Sequence, residues 1–357
     1  MKVLSLFDGI SCGRVALAQA GLPVEAYYAS EIEETAMAIS RKNHPDIIQL
    51  GDVEQWRQWD IPWNEIGLVI GGSPCQGFSL LGKQLNFEDP RSRLFFVYAD
   101  IVDHVLSVNP GARFLLENVN MRQEYRDVIS KRLGVSPVRI KSEILAAARR
   151  DRWYWANFPI TPPVDARITF DDICDTSAQD WLPEEFISRV ANWKAQQDPI
   201  KNATTIGSGQ KLPCLTARGY NQCHSGMVLV TDGTKYRYLT NEEAEKAMAL
   251  PAGYTSGHTD KMRAQCIGNG WTVSVIAHIF SQMAIAEEEG IRVERAVNYV
   301  TDEVKEELVA EAPAVATVEE PTVPPAIDPE KEKMRETLMS MAQMFGNMAQ
   351  QILEVCK

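Results

Sequence analysis

The sequence predicts an α/β fold, a mostly parallel sheet with helices on both faces, interrupted by a small irregular lobe. Three observations predict it. Short apolar runs alternate with helix-length segments through residues 1–120, glycines and acids recur where those runs end, and the alternation breaks near Pro159. Strands joined by crossover helices pair in parallel, and such a sheet is covered on both sides. Ligands of these sheets bind beyond the carboxyl ends of the strands. The loops after Phe7, Ser30 and Ile70 are therefore expected to converge on one crevice.

Residues 2–7, 26–30, 47–49, 68–70 and 114–116 read as strands, each a compact apolar run of the kind buried on both faces. Residues 13–20, 33–43 and 92–108 read as the intervening helices. From 159 to 235, six prolines and five glycines, among them Pro162, Pro163, Gly207 and Gly209, cut the chain into short pieces. This is read as a lobe separate from the domain of residues 1–158. Helix returns at 238–250, with Thr240 as cap and Glu243 as its capping-box partner. A further helix at 271–287 closes the 236–300 segment back onto the first domain. Residues 301–333, rich in Ala, Pro, Val and Glu, show no period and read as a disordered linker. In 334–357, Met334, Leu338, Met341, Phe345, Met348, Ile352 and Val355 alternate spacings of four and three, a heptad seam. It suits a helix docked on its own domain, an oligomerising coiled coil, or a surface helix at a membrane.

With 357 residues the chain has room for one large or two modest domains. No run approaches the roughly 20 apolar residues that span a bilayer. Seven cysteines, odd in number and without Cys-x-x-Cys spacing, argue against a disulfide framework and a zinc site and for a reducing cytoplasm. The net charge of −12 counts against a nucleic-acid partner, but residues 301–357 hold twelve Asp/Glu against five Lys/Arg. Arg149, Arg150, Arg152 and the positive residues of 189–218 are expected to supply a local basic surface.

The chemistry-bearing motifs follow the strand ends. Leu6-Phe7-Asp8-Gly9-Ile10-Ser11-Cys12-Gly13 is a strand, a Gly-x-x-x-Gly loop and a helix, which presents backbone N–H groups to a ligand. It is neither the dinucleotide fingerprint nor a Walker loop. Glu31 ends the second strand, where an acid suits ribose hydroxyls, and Asp52, after the third, suits an adenine amino group. Either acid alone is more often a solvated loop residue. Together with the glycine loop they favour a nucleoside cofactor held without a phosphate clamp, as S-adenosylmethionine would be.

In Val69-Ile70-Gly71-Gly72-Ser73-Pro74-Cys75-Gln76-Gly77-Phe78 a buried run ends in a stiff turn that lifts one thiol off a strand end. Cys75 has no His or Lys beside it in sequence, which disfavours a Cys–His protease; attack on an activated ring fits better. Alone, Cys75 reads equally as a packing residue. Glu117, in Leu116-Glu117-Asn118-Val119, sits at a buried strand tip, where a carboxylate needs a partner or a task. Arg150 and Arg152, at i and i+2 before Trp153-Tyr154-Trp155, point to one face and suit a ring carbonyl or a phosphate; alone they read equally as an exposed basic edge.

In this order the motifs resemble those of the cytosine carbon-5 DNA methyltransferases, over roughly residues 1–158 and 236–285. The resemblance is to the bacterial and phage type, with details leaning toward the animal de novo branch. It implies a Rossmann-like S-adenosylmethionine-dependent methyltransferase sheet and a target-recognition lobe at 159–235. Phe7, Asp8, Gly9, Ile10, Gly13, Glu31, Ile32, Asp52, Val53 and Pro74 would bind the cofactor. Asn269 and Val273, in and after Gly268-Asn269-Gly270, would complete its pocket. Cys75, Glu117, Arg150 and Arg152 would be catalytic, and Gln76, Ser79 and Asn118 would meet the substrate. Residues 207–223, with Lys211, Thr216 and Arg218 between glycines, are expected to read bases of double-stranded DNA. The sequence departs from the pattern at Ser11-Cys12 between the loop glycines, at Ala148 where Gln is usual, and at Gly270 where Ser is usual. No metal is implied. A tRNA cytosine methyltransferase, a silent DNA-binding homologue and an unrelated nucleotide-binding protein are the rival readings.

Overall fold

The computed structural model describes residues 1–74, 90–186, 188, 204–220, 226–291 and 293–296. Two compact units are present, Met1–Ala312 and Pro313–Lys357; every described residue belongs to the first, and the expected linker and heptad helix lie outside the described residues.

Seven strands form the main sheet: β1 (Lys2–Leu6), β2 (Ala26–Ser30), β3 (Ile48–Gln49), β4 (Ile66–Gly71), β5 (Arg113–Val119), β6 (Val138–Lys141) and β7 (Asp151–Ala156). Their spatial order is β3-β2-β1-β4-β5-β7-β6. The first five pair in parallel, whereas β7 runs antiparallel to both β5 and β6. Successive residues of the central strands serve opposite faces, as the two-residue period requires. Val3, Leu68, Ile70 and Leu115 pack into one core, while Leu4, Leu6, Val69, Phe114 and Leu116 pack into the other.

Helices cover both faces. The first core takes α1 (Cys12–Gln19), α2 (Glu34–Asn43) and a C-terminal helix; the second takes α3 (Pro90–Val108) and α4 (Gln123–Leu133). In the main sheet and its covering helices up to residue 156, α4, β6 and the reversed direction of β7 depart from the expectation. α4 ends at Gly134 in the left-handed region with Lys131 and Arg132 in its last turn, both ordinary stop signals.

The 159–235 stretch is less irregular than expected. It contributes β8 (Thr204–Ile206) and β9 (Val228–Thr231), and β10 (Tyr236–Tyr238) follows at once to complete a three-stranded sheet in the order β10-β9-β8. The expected helix at 238–250 therefore begins later, as α5 (Asn241–Ala247), because Tyr236 and Tyr238 pair with Thr231 and Leu229. Its capping box is present: Glu243 N donates to the Thr240 hydroxyl at 3.1 Å and Thr240 N to the Glu243 carboxylate at 3.0 Å. α6 (Asp260–Asn269) and α7 (Val273–Glu288) complete the chain's described helices, and α7 packs on α1. No helix among the described residues is long and apolar enough to cross a membrane.

Glu243 also ties the start of α5 to β10 and to the backbone at Asp175. It is fully buried and takes Arg237 in a bidentate pair at 2.6 and 2.8 Å, along with the backbone N–H of Asp175 at 2.9 Å. Breaking one side of a buried pair leaves the other charge uncompensated, so Glu243→Ala is expected to lower stability by about 3–5 kcal/mol. The urea midpoint reads this directly; a loss below ~1 kcal/mol would show that Arg237 finds water or another partner.

Candidate active site

The loop after β1 is bent against the preferences of its residues. Phe7, Gly9 and Ser11 have φ of 57°, 59° and 61°. The left-handed region costs a residue with a Cβ about 1–2 kcal/mol, so Phe7 and Ser11 need outside support. Asp8 supplies it. Its carboxylate accepts from the hydroxyls of Ser5 at 2.6 Å, Tyr27 at 2.8 Å and Ser11, which joins β1, β2 and the start of α1. The Tyr254 hydroxyl adds a bond to the Ile10 carbonyl at 2.8 Å.

Glu31, one residue past β2, is held as firmly. Its Oε2 accepts from Gly9 N at 2.8 Å, and Oε1 accepts from Ile32 N at 2.8 Å and Glu33 N at 2.9 Å. The glycine loop thus spends a backbone N–H on aiming a carboxylate.

Beyond β4 the chain passes Gly72, Ser73 and Pro74. A Cβ on Gly72 would stand 2.9 Å from Trp271 Nε1 and 3.1 Å from Glu117 Oε2, so only glycine lets this turn pass beside the acid. Asn118, 1% exposed, donates its amide to Ser73 Oγ at 3.2 Å and accepts from Val119 N at 2.8 Å. Glu117 is buried at the end of β5 and pairs with Arg152 Nε at 2.7 Å. The register explains the contact. Val119 faces Arg152 and Glu117 faces Tyr154 across the antiparallel pair, so Glu117 and Arg152 are diagonal neighbours on one face, within reach of a long side chain. Arg150 is buried too, and its Nη1 donates to the carbonyls of Gly268 at 3.1 Å and Leu215 at 3.4 Å. Burial first, then the charge of Arg152, pushes the Arg150 guanidinium down from its usual range, against Glu117.

These loops enclose one cavity of about 350 Å³. Of the residues singled out in the sequence, Phe7, Gly9, Ile10, Glu31, Pro74, Glu117, Asn118, Arg150, Arg152 and Asn269 line it. Others do not. Asp8 is turned into the loop's underside. Gly13 lies beneath the cavity, where a Cβ would stand 2.5 Å from Ile70 Cδ1. Ile32 is 70% exposed, while Val53 and Val273 are buried in the cores. Asp52 caps a short 3-10 turn by accepting from Glu54 N at 2.9 Å. Lys211 donates to the Ala146 carbonyl at 3.1 Å, and Thr216 and Arg218 are exposed outside the lining. Cys75, Gln76 and Ser79 lie outside the described residues, which the chain leaves at the cavity-lining Pro74.

Of the basic surface expected around Arg149, Arg189, Lys194 and Lys201 lie outside the described residues. Arg150 and Arg152 are turned inward, which leaves Arg149 and Arg218 exposed among the described residues expected to form it. Sequence reasoning missed the lining residues Glu33, Ala36, Gln265 and Cys266. The last two sit on α6, whose mixed small and charged residues give no apolar stripe; Thr259 as N-cap was its one legible sign. No group of His, Cys, Asp and Glu among the described residues is arranged to hold a metal ion.

Burial pushes the Asp8 carboxyl up to about 6, with its three hydroxyl donors opposing. A raised folded value means that the neutral form is favoured in the fold. Its contribution is complete below about pH 4 and is lost as pH rises through about 6. Asp8→Asn removes this dependence, so wild type should lose about 2 kcal/mol relative to the variant between pH 4 and 7. Thermal melts of both proteins across that range check it; parallel curves would contradict it.

The arrangement joins an acid suited to a ribose with a buried acid–arginine pair beside Ser73-Pro74, and the chain is similar to known proteins. The model of the family described as C-5 cytosine-specific DNA methylase matches residues 1–133 and 164–284. Type II methyltransferase M1.ScrFI of Lactococcus lactis subsp. cremoris is 39% identical over 310 residues, 79% of this chain and 77% of that protein. Type II methyltransferase M.NlaX of Neisseria lactamica is 28% identical over 309 residues, 80% and 96% of the two chains. The match to type II methyltransferase M.NgoBV of Neisseria gonorrhoeae, 36% identical over 123 residues, spans 33% of this chain and only 28% of that protein. Among solved structures, the Entamoeba histolytica methyltransferase EhMeth shares the fold with a TM-score of 0.64 at 18% identity, covering 81% of this chain and 98% of its own. With the family model matching most of the chain, this protein belongs to the C-5 cytosine-specific DNA methylases, a family of methyltransferases.

Proposed function

We propose that the protein transfers a methyl group from S-adenosylmethionine to carbon 5 of a flipped-out cytosine in double-stranded DNA. The observation that carries this reading is the Glu117–Arg152 pair in the same cavity as the anchored Glu31. The lining chemistry fits the cofactor. Glu31 and Glu33 bring carboxylates near Phe7, Ile10 and Ala36, and the basic residues of the lining, Arg150 and Arg152, come from the other side of the sheet. Acids without a basic clamp suit a ribose and a cationic sulfonium and disfavour phosphates. Phe7, Gly9, Ile10, Glu31 and Asn269 would hold S-adenosylmethionine, which when bound supplies an electrophilic methyl group.

The chain's own residues do the rest. Extruding the base costs a few kcal/mol, which contacts to the flipped cytosine must offset. The Cys75 thiolate adds to carbon 6, forming an S–C bond. A proton shared between Glu117 and N3 moves onto the ring as sulfur adds and returns to Glu117 when Cys75 leaves, the other carboxyl oxygen accepts from the exocyclic amine, and Arg152 donates to O2, so charge pushed onto the ring is met at both sides. The electron pair of the 5,6 double bond then takes the methyl at carbon 5. Loss of the carbon 5 proton restores the double bond and expels Cys75. Asn118, tied to Ser73, fixes the backbone that leads to Pro74. Residues 334–357 are proposed to pair with a second copy through their heptad seam, in a cytoplasmic enzyme.

The test is transfer of labelled methyl to unmethylated DNA and to tRNA. Label in DNA at cytosine carbon 5 is expected. It should vanish in Cys75→Ala and fall about 10²–10³-fold in Glu117→Gln, the range for a lost charge-stabilising group. Label confined to tRNA would move the substrate, and no label with cofactor bound would favour a silent DNA-binding homologue.

A further inference from the structure

Residues 210–218 form a strap that leaves the lobe and crosses the catalytic domain beside the cavity. Its first half is fixed by backbone bonds. Phe170 N donates to the Gln210 carbonyl at 2.8 Å, Leu212 N to the Ala147 carbonyl at 2.8 Å, and Arg149 N to the Leu212 carbonyl at 3.0 Å. Leu212 and Leu215 are buried beneath it, 0% and 2% exposed. Its second half rests on Gly268 in the last turn of α6. A Cβ there would stand 2.2 Å from the Thr216 carbonyl carbon and 2.3 Å from Ala217 N. Both are backbone atoms, which cannot rotate aside. Gly268 has no positive φ, so close approach of the strap is what requires a glycine.

Arg150 completes the seat. One nitrogen, Nη1, bridges the Gly268 carbonyl of α6 and the Leu215 carbonyl of the strap. Past this point Thr216, Ala217 and Arg218 are exposed. The strap therefore presents a polar tip whose height and angle beside the cavity are set by one steric contact and one buried guanidinium.

We propose that Gly268 and Arg150 are specificity-determining positioning residues: they place the 216–218 tip, and Arg218 above all, against the DNA flanking the target base. Arg150 then selects sequence through the strap, in contrast to the catalytic role that family resemblance gives it. The inference rests on the DNA-methylation reading above. It also accounts for a buried arginine that commits one nitrogen to backbone carbonyls of two separate segments.

The experiment uses the full chain as wild type, Gly268→Ala, Arg150→Lys and Arg218→Ala, on a DNA library randomised around one cytosine, with methylated positions mapped. Binding of S-adenosylhomocysteine reports that each variant is folded. The wild type is expected to prefer one context. Gly268→Ala and Arg150→Lys should lose about tenfold or more of that discrimination, the weight of one base contact, at the flanking position where Arg218→Ala loses it. Unchanged context profiles in the two seat variants, whatever their rates, would overturn the proposal. So would a collapse of turnover in Arg150→Lys at saturating DNA with the profile intact, which would make Arg150 a group acting on the base. Should Gly268→Ala fail to fold, Arg150→Lys decides alone. A wild type that methylates no DNA refutes the underlying reading instead, and that outcome is read separately.

Discussion

Everything at the active site depends on the reversal of one strand. Had β7 run parallel to β5, its start would lie at the far end of the sheet, away from Glu117. Running antiparallel, it brings Arg152 opposite Val119 and one diagonal step from Glu117. The i, i+2 relation then turns Arg150 toward the same cavity. A single choice of strand direction thus assembles an acid and two arginines from segments more than 30 residues apart, over the loops that the parallel strands contribute.

The site carries costs that its surroundings offset. Glu117 and both arginines are largely withdrawn from water, which is tolerable only because each charge faces a partner or a backbone carbonyl. On the other side of the sheet, the left-handed Phe7 and Ser11 are held by Asp8, whose carboxyl itself sits uneasily in its burial. Strain and desolvation gather at the two ends of one cavity, and the parallel core, packed on both faces, supplies the rigidity that sustains them.

How much of this could be read from the residues alone follows from what each signal depends on. β1 through β5 were legible because a buried parallel strand is a short apolar run, and the glycine loop, Glu31 and Glu117 were legible as departures from such runs. The Thr240–Glu243 capping box was legible because it is purely local. Strand direction is not local, so the reversed β7 was invisible, as was the pairing of β10 into the lobe. Asp8 and Lys211 look like ligand-facing polar residues in sequence, yet loop geometry turns one inward and ties the other to carbonyls. The glycine at 268 is legible within a motif, but its purpose, a strap passing over it, appears only in three dimensions.

The proposed chemistry turns on attack by Cys75 on carbon 6 of a cytosine held by Glu117 and Arg152. DNA carrying 5-fluorocytosine at the target position tests it most directly, because after methyl transfer carbon 5 bears fluorine and holds no proton to lose. The enzyme should then remain bonded to the DNA in the presence of S-adenosylmethionine, with the added mass on the peptide containing Cys75. A stable adduct on another residue, or methyl transfer to unmodified DNA with no adduct on the fluorinated strand, would contradict it.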